Sequence, residues 1–342
     1  MTDQTKTPVL SGSRLKAGRA LARKGFSWDH WRFVTPERVS CAACGADDAD
    51  PFFDAPLAPG QVVKCRRCDM VYVSPVDIRG LNYSEDDLAY MEHLRTSSDL
   101  DDLEKGWEFA FLQARLEERP ALQKNYEGIL DRIARHVGSA DGRLLDFGAG
   151  WGFFLAEARN AGWDTAGVEP LPGHALYARE ELGLDVIPDV LRPDTFPSES
   201  FDVVTSLQVF EHLDDPAAEL AKIVEVLRPG GLLALEVPSI DTPLLKLARG
   251  KHRHFVPDHY WFFTPETLQR FVTRHDLETI ESYHPTRRLS VRWLVNVIGK
   301  RYMPAGLTQR LSAASERLRV ADLEVPLNFL DVALIIARKP LD

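Results

Sequence analysis

Much is missing from this chain of 342 residues. No apolar run reaches the length of a membrane span, and no secretory signal opens the sequence, so a cytoplasmic protein is expected. No internal repeat and no low-complexity segment is present. Positive charge is scarce: net charge is −10. An overall nucleic-acid-binding surface is therefore disfavoured. The exception is the start, where residues 1–38 hold eight Lys/Arg against three Asp/Glu and include a predicted helix around Ser13–Lys24. A solvated basic segment is the simplest reading; a lipid-surface or RNA contact is the alternative.

Cysteine is also scarce, and its placement is informative. The only four are Cys41, Cys44, Cys65 and Cys68, two C-x2-C knuckles twenty residues apart. Two such knuckles present four thiolates to one tetrahedral Zn2+. The linking segment has too few apolar residues to fold by itself. Neither pair follows a strand of a βαβ unit, as a redox dithiol would. A structural zinc ribbon over 39–78 is expected, with a closed coordination sphere and no catalytic role for the metal.

The chain as a whole is ordinary in composition, 44% hydrophobic and 27% charged. Residues 79–141 read as a helical lid or linker, with two helices over 101–137 broken near Pro120. From residue 142 onward strands and helices alternate. The expected strands are Leu144–Phe147, Thr165–Val168, Leu184–Ile187, Phe201–Leu207 and Leu232–Val237. Helices are expected over Trp151–Asn160, Gly173–Leu182 and 214–227, with a turn at RPGG (228–231). Such alternation predicts a parallel sheet covered on both faces. Insertions over 240–263 and 286–327 interrupt the pattern, the second containing two amphipathic helices.

The first strand runs into LLDFGAGWGFF (144–154), with three glycines in five positions. Glycine at that density lets a ligand approach the backbone. The second strand ends in Glu169, where a carboxylate can accept both hydroxyls of a ribose. The pattern is D-x-G-x-G-x-G rather than the dinucleotide G-x-G-x-x-G. Asp146 would repel a pyrophosphate but attract the ammonium and sulfonium groups of S-adenosylmethionine.

Taken with VEP, FDVVTSLQVFEHLDDP, LRPGGLLALEVPS and FTPETL, these residues resemble the class I S-adenosylmethionine-dependent methyltransferases. The resemblance covers about 143–285 and the last strand, DVALIIARKP. It implies a Rossmann-like sheet, parallel with an antiparallel last strand. It further implies that Asp146, Gly148, Gly150 and Gly152 line the methionine and ribose of the cofactor. Glu169 would bind the ribose hydroxyls, Asp189 and Val190 the adenine, and Gln208 the opposite side. The knuckles, EHLDDP and an acid–His pair in KHRHFVPDHYWFF together look like the sugar-nucleotide C-methyltransferases. By that likeness His212, Asp258 and His259 are the general-base candidates. Asp258 replaces the Glu of those enzymes, and no stretch of this sequence matches their large C-terminal domain. A similar histidine-bearing loop occurs in ubiquinone-type O-methyltransferases.

The expected activity is methyl transfer to oxygen or carbon of a small molecule: a sugar nucleotide, a glycan or a secondary metabolite. An RNA or protein methyltransferase gripping its polymer with the ribbon is the alternative, and a non-catalytic cofactor-binding module a third. The chain lacks the Asn/Asp-Pro-Pro-Tyr/Phe turn that base-methylating relatives carry. A membrane-surface role for 286–327 would use its apolar faces with Arg287, Arg288, Lys300 and Arg301.

Overall fold

The computed structural model describes residues 38–75, 85–104, 108–138 and 142–341. The expected helix at Ser13–Lys24 and most of the basic segment lie outside the described residues.

Seven strands form the central sheet. They are β4 (Arg143–Phe147), β5 (Asp164–Val168), β6 (Val186–Ile187), β7 (Phe201–Leu207), β8 (Leu227–Pro238), β10 (Glu278–Tyr283) and β13 (Val332–Arg338), in the order β10-β13-β8-β7-β4-β5-β6. The five strands from β8 to β6 are parallel, and β13 is antiparallel to both its neighbours. Strand order reverses at β4, and in open α/β sheets a ligand crevice opens there at the carboxyl ends of the strands. Strands β7 and β8 are apolar along most of their length because both faces are covered.

Two short helices, α1 (Glu85–Thr96) and α2 (Leu100–Leu103), lead into the layer that covers one face of this sheet. There Leu144, Val203, Leu232 and Leu334 pack with Ile133, Phe154, Leu155, Leu176 and Tyr177. These last come from α3 (Glu108–Val137), α4 (Phe153–Asn160) and α5 (Pro172–Glu180). On the other face Leu145, Phe147, Val204 and Leu235 pack with Leu220, Ile223 and Phe271. Those three come from α6 (Pro216–Val226) and α8 (Pro265–Thr273), and α7 (Pro243–Ala248) opens the insertion between them. A Thr264 cap and Pro265 start α8 as the sequence suggests.

Two expectations need correction. The break near Pro120 does not occur: α3 runs unbroken for 30 residues. Its buried residues lie on both sides of the proline, Phe109 and Leu112 before it, Ile129, Leu130 and Ile133 after. Packing along the sheet offsets the hydrogen bond that Pro120 cannot donate. RPGG is not a turn between elements but the start of β8, where Gly230 takes φ +77° and the pairing with β7 jumps register.

A second sheet, β1-β2-β3-β9, contains β1 (Ala49–Phe53), β2 (Val62–Cys65), β3 (Val71–Val73) and β9 (Trp261–Phe262). Three of its strands come from the cysteine segment; the fourth follows His259. The ribbon is thus fused to the methyltransferase-like unit by a shared sheet. Gly250 sits tight against it, since a side chain there would collide with the carbonyl of Asp54. In the 286–327 insertion, β11 (Arg287–Ser290) and β12 (Glu324–Leu327) pair as a hairpin, and Ala305–Arg317 is helical. Among the described residues no helix is long and apolar enough to cross a membrane.

Candidate active site

The glycine loop leaves β4 and enters α4 with Gly148, Gly150 and Gly152 all at positive φ. They serve different ends. A side chain at Gly148 would strike Val209, and one at Gly152 would strike Leu184, so these two permit packing. A side chain at Gly150 would meet nothing within 4 Å. That open side is where a ligand can approach the backbone. The Gly150 amide itself donates to Glu169 Oε2 at 2.7 Å, and the Leu171 amide to Oε1 at 2.8 Å. Two backbone bonds fix the carboxylate and leave its remaining lone pairs for a ligand's hydroxyls.

Asp146 is buried and accepts a 2.7 Å hydrogen bond from the Thr205 hydroxyl. Burial pushes both Asp146 and Glu169 up to about 7, and the Glu169 charge adds to the rise at Asp146. Two buried carboxylates side by side fit a cationic ligand, which favours the ionised form of both. These residues therefore suit a nucleoside bearing a sulfonium and an ammonium. Asp189 is partly exposed and paired with Arg192 at 3.0 Å, and Val190 is exposed beside it. Gln208 takes φ +60° at the end of β7, and its side chain turns to Glu236 at 3.2 Å.

The base candidates converge from two segments. His212 follows β7 in a single 3-10 turn (Phe210–His212), and Asp258 and His259 come from the 240–263 insertion. Asp258 does not serve its neighbour His259. It faces His212, whose Nδ1 lies 2.7 Å from the Asp258 carbonyl and 3.4 Å from its carboxylate. The carbonyl only accepts, so Nδ1 carries the proton and Nε2 is left as the acceptor. The His259 ring stands edge-on to His212 at 4.7 Å between centroids. Burial holds His259 well below its usual range and so neutral.

Glu211 and Glu236 join this site without having been singled out, and Arg287, named only for a membrane surface, pairs with Glu236. Glu211 is buried with neither carboxylate oxygen hydrogen-bonded, and burial pushes it up to about 7. Its ligand atom, and those of His212 and His259, lie within 4.8 Å of one another. An acid inside the apolar run LLALEV was the available signal for Glu236; Arg287 gave none. His252 and His254 are structural. His254 Nε2 bonds to the Asp331 carbonyl at 2.8 Å, and burial leaves His252 neutral.

In the ribbon, Cys41 Sγ lies 3.4 Å from Cys68 Sγ, and Cys44 Sγ 3.5 Å from Cys65 Sγ. The four sulfurs form one group of metal-ligand spacing. All are free thiols.

Comparison with known proteins identifies the family. Residues 117–282 match the family model described as a methyltransferase domain. A ubiquinone biosynthesis O-methyltransferase of Aromatoleum aromaticum is 30% identical over 178 residues, spanning 46% of this chain and 74% of that protein. The chain belongs to the class I S-adenosylmethionine-dependent methyltransferases. A tRNA U34 carboxymethyltransferase of Hydrogenovibrio crunogenus is 32% identical over 143 residues, 39% of this chain and 43% of that protein. Among solved structures, the 1,6-didemethyltoxoflavin-N1-methyltransferase of Burkholderia thailandensis is 16% identical. It covers 86% of this chain and 99% of its own, at a TM-score of 0.42. As a methyltransferase of this class the chain uses S-adenosylmethionine. Its parallel sheet and its antiparallel β13 are those the sequence implied.

Proposed function

We propose that this methyltransferase moves a methyl group to oxygen, or to an acidic carbon, of a small-molecule acceptor, with His212 as the general base. When bound, S-adenosylmethionine supplies an activated methyl carbon on a positively charged sulfur. Asp146 and Glu169 hold that cofactor at the end of β4 and β5, with the glycine loop beneath it. The acceptor lies over the ends of β7 and β8. His212 Nε2 takes its proton as the nucleophile attacks; Asp258 fixes the tautomer and stabilises the positive charge that forms. His259, neutral and edge-on, keeps water from the pair.

What carries this reading is the His212 Nδ1 contact with Asp258, 2.7 Å to the carbonyl and 3.4 Å to the carboxylate. It joins two segments 46 residues apart and turns the other imidazole nitrogen, Nε2, toward Glu211 Oε1 at 3.8 Å. The test is His212→Ala and His259→Ala, measured by transfer of labelled methyl to extract metabolites and by calorimetric cofactor titration. A general base contributes about 10²–10⁴-fold. Turnover should fall by that order in His212→Ala with cofactor affinity unchanged. Normal turnover in His212→Ala rejects the assignment.

A second reading has one observation in its favour. Glu211, His212 and His259 present three ligand atoms within 4.8 Å, a two-histidine, one-carboxylate set suited to a divalent cation. Such an ion would lower the acceptor hydroxyl's pKa directly. Turnover that is lost to a chelator and restored by added metal favours it, provided the ribbon's metal stays in place. The four cysteines are assigned to a structural zinc.

A further inference from the structure

The helix Ala305–Arg317 of the 286–327 insertion packs opposite to the usual amphipathic pattern. Its inward residues are Thr308 and Ser315, seven apart and both buried. Thr308 fits so closely that a side chain at Gly299 would meet its methyl group. The leucines face out instead: Leu307, Leu311 and Leu318 are 46%, 38% and 70% exposed. Leu318 caps the helix in helical conformation. Spacings of four and seven set the three along one stripe, with exposed Ala314 in the same line. Eleven large hydrophobic side chains are exposed among the described residues, and five of them lie between Met303 and Leu323. Exposed leucines scattered singly need no explanation; a row of them on one helix marks a contact surface.

Charge decides what such a face can meet. The insertion holds eight Lys/Arg against three Asp/Glu, in a chain of net charge −10. All three acids are already engaged: Arg292 pairs with both Glu316 and Asp322, and Lys124 pairs with Glu324. Two of the cations named from the sequence are engaged as well, Arg287 by Glu236 and Arg301 by the carbonyls of Lys251 and His252. Arg310 and Arg317 are different. Both are exposed, and neither has an ion pair among the described residues. Each immediately precedes a leucine of the stripe, so the two line one edge of it. A second copy of the chain would set these arginines against their own kind, and residues 1–38 carry the same sign of charge. RNA would neutralise the arginines and leave the leucines in water. An anionic lipid surface matches both, because acyl chains take up the leucines and headgroup phosphates the arginines.

We propose that the outer face of the helix Ala305–Arg317 docks on an anionic lipid bilayer. The helix lies in the plane of the surface, Leu307, Leu311 and Leu318 enter the boundary between headgroups and acyl chains, and Arg310 and Arg317 meet lipid phosphates. The attachment is peripheral and reversible. None of these residues belongs to the glycine loop or to the His212–Asp258 pair, so the proposal stands independently of the acceptor and of the base.

The test is sedimentation of the full chain with vesicles of phosphatidylcholine alone and of phosphatidylcholine containing about one quarter phosphatidylglycerol. The wild-type protein should bind the anionic vesicles about tenfold or more tightly than the neutral ones. It should lose that excess at about 1 M salt, where the screening length falls to about 3 Å. Leu307→Ser with Leu311→Ser and Leu318→Ser forms one variant, and Arg310→Glu with Arg317→Glu a second. Each should weaken binding to anionic vesicles about tenfold or more. S-adenosylhomocysteine affinity, measured by calorimetry, should be unchanged in both and reports that they are folded. The two variants alter different chemistry at exposed positions, so if one fails to fold the other decides. No binding to anionic vesicles, or equal binding to neutral ones, overturns the proposal. Binding undiminished in both variants also overturns it, since the contact would then lie elsewhere in the chain. A dimer in solution that the leucine substitutions split, without vesicle binding, assigns the face to a second copy instead. Polyuridylate that displaces the vesicles and still binds the leucine variant assigns it to RNA, and refutes the lipid contact equally.

Discussion

If the four cysteines hold zinc as proposed, removing it should disable methyl transfer while sparing cofactor binding. The two closest sulfur pairs, at 3.4 and 3.5 Å, can be set against the tetrahedral edge. With Zn–S near 2.3 Å, that edge is about 3.8 Å, so a metal enters after shifts of a few tenths of an ångström. A disulfide at about 2.05 Å would need far more. Structural zinc in comparable small sites contributes about 10–16 kcal/mol, as much as the whole stability of a typical domain. The metal-free ribbon should therefore unfold. Its loss reaches the base loop through named contacts. The Val73 amide donates to the Tyr260 carbonyl at 2.9 Å, Arg270 to the Cys68 carbonyl at 3.1 Å, and Arg274 to the Ala43 carbonyl at 3.2 Å. Tyr72 stacks on Trp261 at 5.6 Å between centroids. Tyr260 adjoins His259, so releasing β9 frees the histidine loop and Asp258 from His212. Turnover should drop by about 10²–10⁴, the share of a positioned base. None of these contacts touches the cofactor cradle at the ends of β4 and β5, which should hold. The assay pairs elemental analysis before and after chelation with labelled-methyl turnover and calorimetric cofactor titration. Metal-free protein with full turnover would refute the coupling, and native protein without bound metal would refute the ribbon.

Asp146→Asn should weaken S-adenosylmethionine binding about ten- to a hundredfold, the loss of one charge-assisted contact; calorimetry showing wild-type affinity contradicts its placement. Cofactor affinity should also rise with pH. Asp146 and Glu169 sit near 7 when the site is empty, and a bound cation favours their ionised forms, so binding releases protons and tightens from about pH 6 to 8. The same shifts have a stability consequence with the opposite sign. Folded values raised above the unfolded ones near 4 stabilise below that range, and the stabilisation is lost as pH rises through about 7. Melting curves with and without cofactor across pH 5–8 should show the ligand-induced gain growing with pH; a pH-independent gain would be incompatible with buried, protonated acids. Pro120→Ala should raise stability by up to about 3 kcal/mol, since α3 already runs through that position. An unchanged or lower denaturation midpoint would mean the helix there is adapted to proline.

The strands and the glycine loop at the end of β4 were legible in the residues because their determinants are local. Apolar runs of sheet length, glycines where the chain must turn left-handed, and an acid at the next strand end all lie close together along the chain. The Thr264–Pro265 start of α8 was readable for the same reason. The acceptor half depends on pairings across distance. Asp258 serves His212 rather than its neighbour because the insertion folds back over β7. Glu236 meets Arg287 only through the hairpin, and the ribbon takes its fourth strand from beyond His259. Neither periodicity nor spacing encodes contacts between segments so far apart in the chain; they are settled by which surfaces bury each other. Pro120 shows the same limit in reverse: its local preference to break a helix is real, and packing on both sides of it overrides that preference.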